Sequence, residues 1–151
     1  MNNAQNIAHY VLHLFQASGE SITNLKLQKL LYYIQGWHLG LHHKPIFEED
    51  FEAWIHGPVI PSIFHEFKHN KWQPIIEGVS YNPVDNNIRT HISDVLEVFG
   101  PCNAYELELM SHREMPWIKA RGDLEPTALS NAVITKKSME DFFAQRAEDI
   151  E

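Results

Sequence analysis

Five consecutive residues, His65-Glu66-Phe67-Lys68-His69, carry the spacing of a zinc protease. Two imidazoles four positions apart on a helix point the same way and can chelate one metal, and the Glu between them can activate a metal-bound water. A catalytic zinc also needs a third ligand and an open coordination position. One common extension of the motif would put Gly at position 72 and His at position 75, but this chain has Trp72 and Ile75. A zinc-dependent hydrolase using His65, Glu66 and His69 is therefore the alternative reading. The expectation is that no metal or other cofactor is held and that the chain is not an enzyme.

Other chemistry-bearing residues fit known templates less well. His9 and His13 share the same spacing with no carboxylate partner in sight, and His42-His43 lies at a predicted helix end, so these read as surface or interfacial imidazoles. The single cysteine, Cys102, makes an internal disulfide impossible and carries no local sign of thiolate activation. Ser111 and His112 are adjacent, and neighbours on a helix do not face each other. There is no glycine-rich phosphate loop and no nucleophile elbow.

The elements that must position these residues read as mainly helical, with a minor short-strand component, in one domain spanning 1–151. A chain of 151 residues with 44% apolar content, four Trp, five Tyr and eight Phe can build one real core. Periodicity predicts a helix over Ala4 to Ala17 and a stronger one capped by Thr23, with Leu27, Leu30, Leu31, Ile34, His38 and Leu41 on its core face. Beside that face runs a ridge of Lys26, Lys29, Tyr33 and Trp37, expected to be buried at its Trp37 end and wet at its Lys26 end.

Phe51 to Ile55 alternates as a strand, Gly57-Pro58 turns the chain, and Pro61 opens a helix over Ser62 to His69. Residues Trp72 to Thr90 read as loop or a weak hairpin. Helices follow from His91 or Ser93 to Phe99, from Ala104 to His112 behind an Asn103 cap, and from Thr135 or Ser138 to about Ala147, while Pro116-Trp117-Ile118 starts a turn or short helix. Residues 148–151 read as a fraying tail.

The formal charge of -8 argues against general phosphate-backbone binding, so no direct nucleic-acid contact is expected. No secretion signal is read in Met1 to Ala17, and no apolar run reaches the roughly 18 to 20 residues of a membrane span. The expected location is the cytoplasm.

Taken in order, Lys26-Leu27-Gln28-Lys29-Leu30-Leu31-Tyr32-Tyr33, Gln35-Gly36-Trp37, Glu52-Ala53-Trp54, Gly57-Pro58-Val59-Ile60-Pro61 and His65-Glu66-Phe67 resemble the signature of the Panacea antitoxin domain, the family of SocA-like antitoxins and phage-associated GepA-like proteins. The likeness continues through Gly100, Ala104, Leu107, Ser111-His112, Glu114 and Pro116-Trp117. It implies a small helical antitoxin that neutralises the toxin of a neighbouring gene by protein contact. In one branch the toxin is delivered to a protease by an adaptor. The residue types that dominate binding energy nominate Lys26, Lys29, Tyr33, Trp37, Trp54, His65, His112 and Trp117 as partner-contact candidates.

Overall fold

The structure is a computed structural model and describes residues 2–150. Helix α1 (Ala4–Ala17) starts where the Asn3 side chain accepts from the Asn6 amide at 2.7 Å. Helix α2 (Asn24–His42) starts where the Thr23 hydroxyl accepts from the Lys26 amide at 3.1 Å. It stops at His43, whose left-handed backbone (φ 59°) lets its amide reach the Leu39 carbonyl.

Two short strands follow, β1 (Phe51–Trp54) and β2 (Gly57–Val59), then α3 (Pro61–Phe67) with Pro61 in its first turn and a 3₁₀ turn at Lys68–Asn70. The second half comprises α4 (Asn86–Phe99), α5 (Ala104–His112), α6 (Met115–Arg121), β3 (Val133–Ile134) and α7 (Lys136–Ile150). The three strands form one antiparallel sheet in the order β2-β1-β3, with Glu52 opposite Val59 on one side and Val133 on the other.

Helix α2 is the axis of the molecule. Fourteen of its nineteen residues are buried, and α1, α3, α4, α5, α7 and β2 all pack against it. Of its predicted core face only Leu41 is exposed. Helix α7 comes closest, because Gly36 and Gly40 present no side chain there. A Cβ on Gly40 would stand 2.6 Å from the Phe143 backbone carbon and 2.8 Å from the Ala144 nitrogen, and one on Gly36 would strike the Phe143 ring. The gap is filled by Phe143, which packs edge-on to Tyr32 and Tyr33.

Four expectations change. Helix α4 begins at Asn86, five residues before His91, because Ile88, Ile92, Val95 and Phe99 continue one helical stripe behind a polar, exposed first turn. No hairpin forms between Trp72 and Thr90. That segment is a strap laid along α1, held where Asn6 and Asn82 exchange side-chain to backbone hydrogen bonds and where Gln16 donates to the Glu77 carbonyl. The Gly57-Pro58 turn region is itself strand β2. Residues Glu148 to Ile150 are helical rather than frayed, while Glu151 lies outside the described residues.

The α2 and α7 backbones leave no room for a methyl group, so Gly40→Ala should lower unfolding free energy by about 2 kcal/mol or more in a urea titration, with far-UV circular dichroism of the folded state unchanged.

Candidate functional site

The zinc spelling is pulled apart by the fold. Helix α3 ends at Phe67, so His69 sits in the 3₁₀ turn, where its Nε2 pairs with Glu77 at 2.7 Å. Glu66 turns to α1, receiving His9 Nε2 at 2.6 Å and the Gln5 amide at 3.1 Å. His65 lines a groove beside Trp54 and Phe64. Among the described residues no group of three or more His, Cys, Asp or Glu is placed to hold a metal ion. His13 packs on Tyr81 rather than beside His9, and His43 pairs with Glu140 at 3.0 Å. Ser111 donates to the Glu108 carbonyl while His112 stacks elsewhere, so the two do not form a catalytic pair.

The ridge on α2 is buried in its middle, which corrects the expected gradient. Lys26 is half-buried, its Nζ 2.6 Å from the Gly100 carbonyl and above the Phe15 ring. Lys29 is 1% exposed and donates to the Pro58 carbonyl at 3.2 Å. Burial holds its ammonium down at about 7, with Glu108 pulling the other way. Tyr33 is equally buried, stacked on Phe99 at 4.3 Å, with its hydroxyl 3.2 Å from both oxygens of Glu114. Burial raises both groups, Glu114 to about 7, although the tyrosine hydroxyls and Arg146 favour its charged form. The Tyr32 hydroxyl faces the same carboxylate but has no partner in hydrogen-bond geometry. Trp37 is half-buried against Phe143.

His112 and Trp117 are also structural. Their rings stack at 4.1 Å, and the Arg121 guanidinium lies 4.7 Å from the centre of the indole. Trp117 donates its indole N–H to the Trp54 carbonyl at 2.8 Å, and Arg121 donates to the carbonyls of Ala53, Glu125 and Ala128. This stack ties the end of β1 to the loop after α6. Burial lowers the His112 pKa, and its Nε2 has no partner.

What the stack holds in place is an open groove of about 750 Å³. Glu52 and Trp54 of β1 and Val59 line it together with Phe64 and His65 of α3, while Trp72 and Leu129 come from the loops. The Trp54 indole is fixed by donating to the Glu52 carboxylate at 2.8 Å and by an edge-to-face contact with Phe64 at 5.1 Å. Trp72 is 71% exposed and Leu129 88% exposed. Of the eight sequence candidates, Trp54 and His65 line this groove. Lys29, Tyr33 and Trp117 are interior.

Residues 27–118 match the family described as Antitoxin SocA-like, Panacea domain. The chain belongs to that family. It is also 32% identical to Antitoxin SocA of Caulobacter vibrioides (strain NA1000 / CB15N), in an alignment of 128 residues that covers 76% of this chain and 68% of the relative. No solved structure matches at a significant level.

The Panacea segments quoted from the sequence are thus largely the framework of the domain: Lys29, Tyr33, Glu114 and Trp117 hold helices and strands together from inside. Glu52 stood in the quoted family segments without being nominated as a contact, and the groove residues Trp72, Phe64 and Leu129 were not nominated from the sequence. Only Trp72, a lone indole in a polar loop, carried a signal that could have found it.

Two measurements test this framework. Glu114 has a folded pKa raised from 4.5 to about 7. Its contribution to stability is therefore complete below 4.5 and is lost as pH rises through 7. Glu114→Gln should gain on the wild type between pH 5 and 8 by an amount on the order of 3 kcal/mol in denaturant titrations, and a difference that does not vary with pH contradicts this environment. Arg121→Met, which strips the carbonyls of Ala53, Glu125, Pro126 and Ala128 of their donor, should cost about 3 kcal/mol in the same assay.

Proposed function

We propose that this chain is a non-catalytic antitoxin that neutralises a toxin by binding it directly in the cytoplasm. The observation that carries the reading is its membership of the SocA-like Panacea family, together with the extent of its likeness to an antitoxin. The geometry agrees in kind. Glu66 and His69 are committed to different neighbours while His65 lines a groove, and that groove is rimmed by exposed indole and leucine. A preformed concave surface with aromatic anchors is what a binding domain needs, because such anchors supply most of the energy of a contact at low ordering cost.

Charge adds a kinetic component. A formal charge of -8 attracts a basic partner over distances of about a Debye length and raises the rate of encounter. Helix α2 buries one of its cations, Lys29, so that charge offers little compensation at the surface.

The decisive experiment uses the product of the adjacent gene. Its expression should arrest growth, coexpression of this chain should restore growth, and the two should copurify at a fixed ratio. Rescue without a complex would overturn direct binding. The association rate should fall several-fold between roughly 50 and 300 mM salt in stopped-flow or surface-based kinetics, and a rate indifferent to salt would remove the steering component.

A further inference from the structure

The groove has a chemical polarity that specifies its occupant. Its lining is mostly apolar, with Trp54, Val59, Phe64, Trp72 and Leu129 foremost, and His56 and His65 add imidazoles beside the neutral Ser130 and Asn131. Soluble monomers rarely leave aromatic and aliphatic side chains this exposed around one concavity unless something covers it. The one carboxylate among the lining residues, Glu52, sits on the floor strand. Its Oε1 accepts the Trp54 indole N–H, and it takes part in no ion pair among the described residues. No Lys or Arg lines the groove. Another acid, Glu108, is already paired at 3.1 Å with His56, which lines the groove.

We infer that this groove is the toxin-docking site, and that it takes an apolar segment of the toxin carrying a Lys or Arg whose side chain reaches Glu52. This deepens the antitoxin reading and rests on it. The apolar walls accept one or two anchor side chains, with Trp72 and Leu129 closing over them. As the segment excludes water, the Glu52 carboxylate loses hydration and becomes a stronger acceptor for a cation, while its hydrogen bond to Trp54 holds it in position. A segment with an acid at that point is rejected by the same carboxylate. The polarity of the groove matches the net charge of the whole domain, so long-range attraction and local recognition favour the same partner.

The test measures the affinity of the purified full chain for the growth-arresting product of the adjacent gene. Trp72→Ala and Leu129→Asp alter exposed side chains that the fold does not use. Val98→Asp adds the same charge to an exposed position of α4 outside the groove. The inference expects Kd to rise about tenfold for Trp72→Ala and for Glu52→Gln, and further for Leu129→Asp and Glu52→Lys, with Val98→Asp equal to the wild type. If the wild type binds and the Trp72 and Leu129 variants bind as tightly, the docking site lies elsewhere while direct binding stands. If those two weaken binding and both Glu52 variants leave it unchanged, the required cation is wrong. A wild-type chain that restores growth without binding the toxin removes both this inference and the proposed function.

Discussion

A helix buried over most of its length must satisfy its own polar side chains from within, and in this domain that obligation shapes much of what surrounds α2. Asn24 donates to the Phe64 carbonyl, Gln28 donates to Asn24 and accepts from the Ile60 amide, and Lys29 donates to the Pro58 carbonyl. Gln35 donates to the Phe47 carbonyl at 2.7 Å and accepts from the Ile46 amide at 2.8 Å. An unpaired polar group at these depths would cost a few kcal/mol, so the irregular chain from Ile46 to Phe64 has a strong reason to lie where it does. Gly57 belongs to the same arrangement: its φ of 107° suits glycine, and a Cβ there would press on Lys29 and on the Ser111 hydroxyl. The sheet and α3 are, in this sense, fastened to α2 by backbone hydrogen bonds to its side chains.

The groove inherits its shape from that fastening. Strands β1 and β2 are only four and three residues long, too short to be rigid alone. They are held from one side by Gln28 and Lys29 and at the end of β1 by Trp117 and Arg121, which bind the carbonyls of Trp54 and Ala53. The side chains that line the opening can then stay in place without a ligand. A recognition surface fixed in advance loses less entropy on binding, which suits the direct binding proposed for this domain.

Much of the fold was legible because its signals are local. The caps at Thr23 and Asn103 bond to amides three residues away, and the apolar stripe of α1 needs no knowledge of its neighbours. The α2 ridge was misjudged for the opposite reason. Spacing places Lys29 and Tyr33 on a common face, but only the arrival of β2, α4, α5 and α7 from distant parts of the chain makes that face interior. Strand β3 is two residues long, below what alternation can reveal. The groove was least legible, since it joins side chains from β1, β2, α3 and two loops that share no motif. The zinc spelling shows the converse, a local pattern that tertiary structure disperses by ending α3 at Phe67.

Hydrogen–deuterium exchange of the free domain against its complex with the toxin tests most directly the claim that α2 builds a rigid docking face out of the strands and α3. Protection on binding should concentrate in residues 51–65 and around Trp72 and Leu129, with α2 slow to exchange in both states. Protection confined to α1, α4 or α7, with residues 51–65 unchanged, would contradict the account.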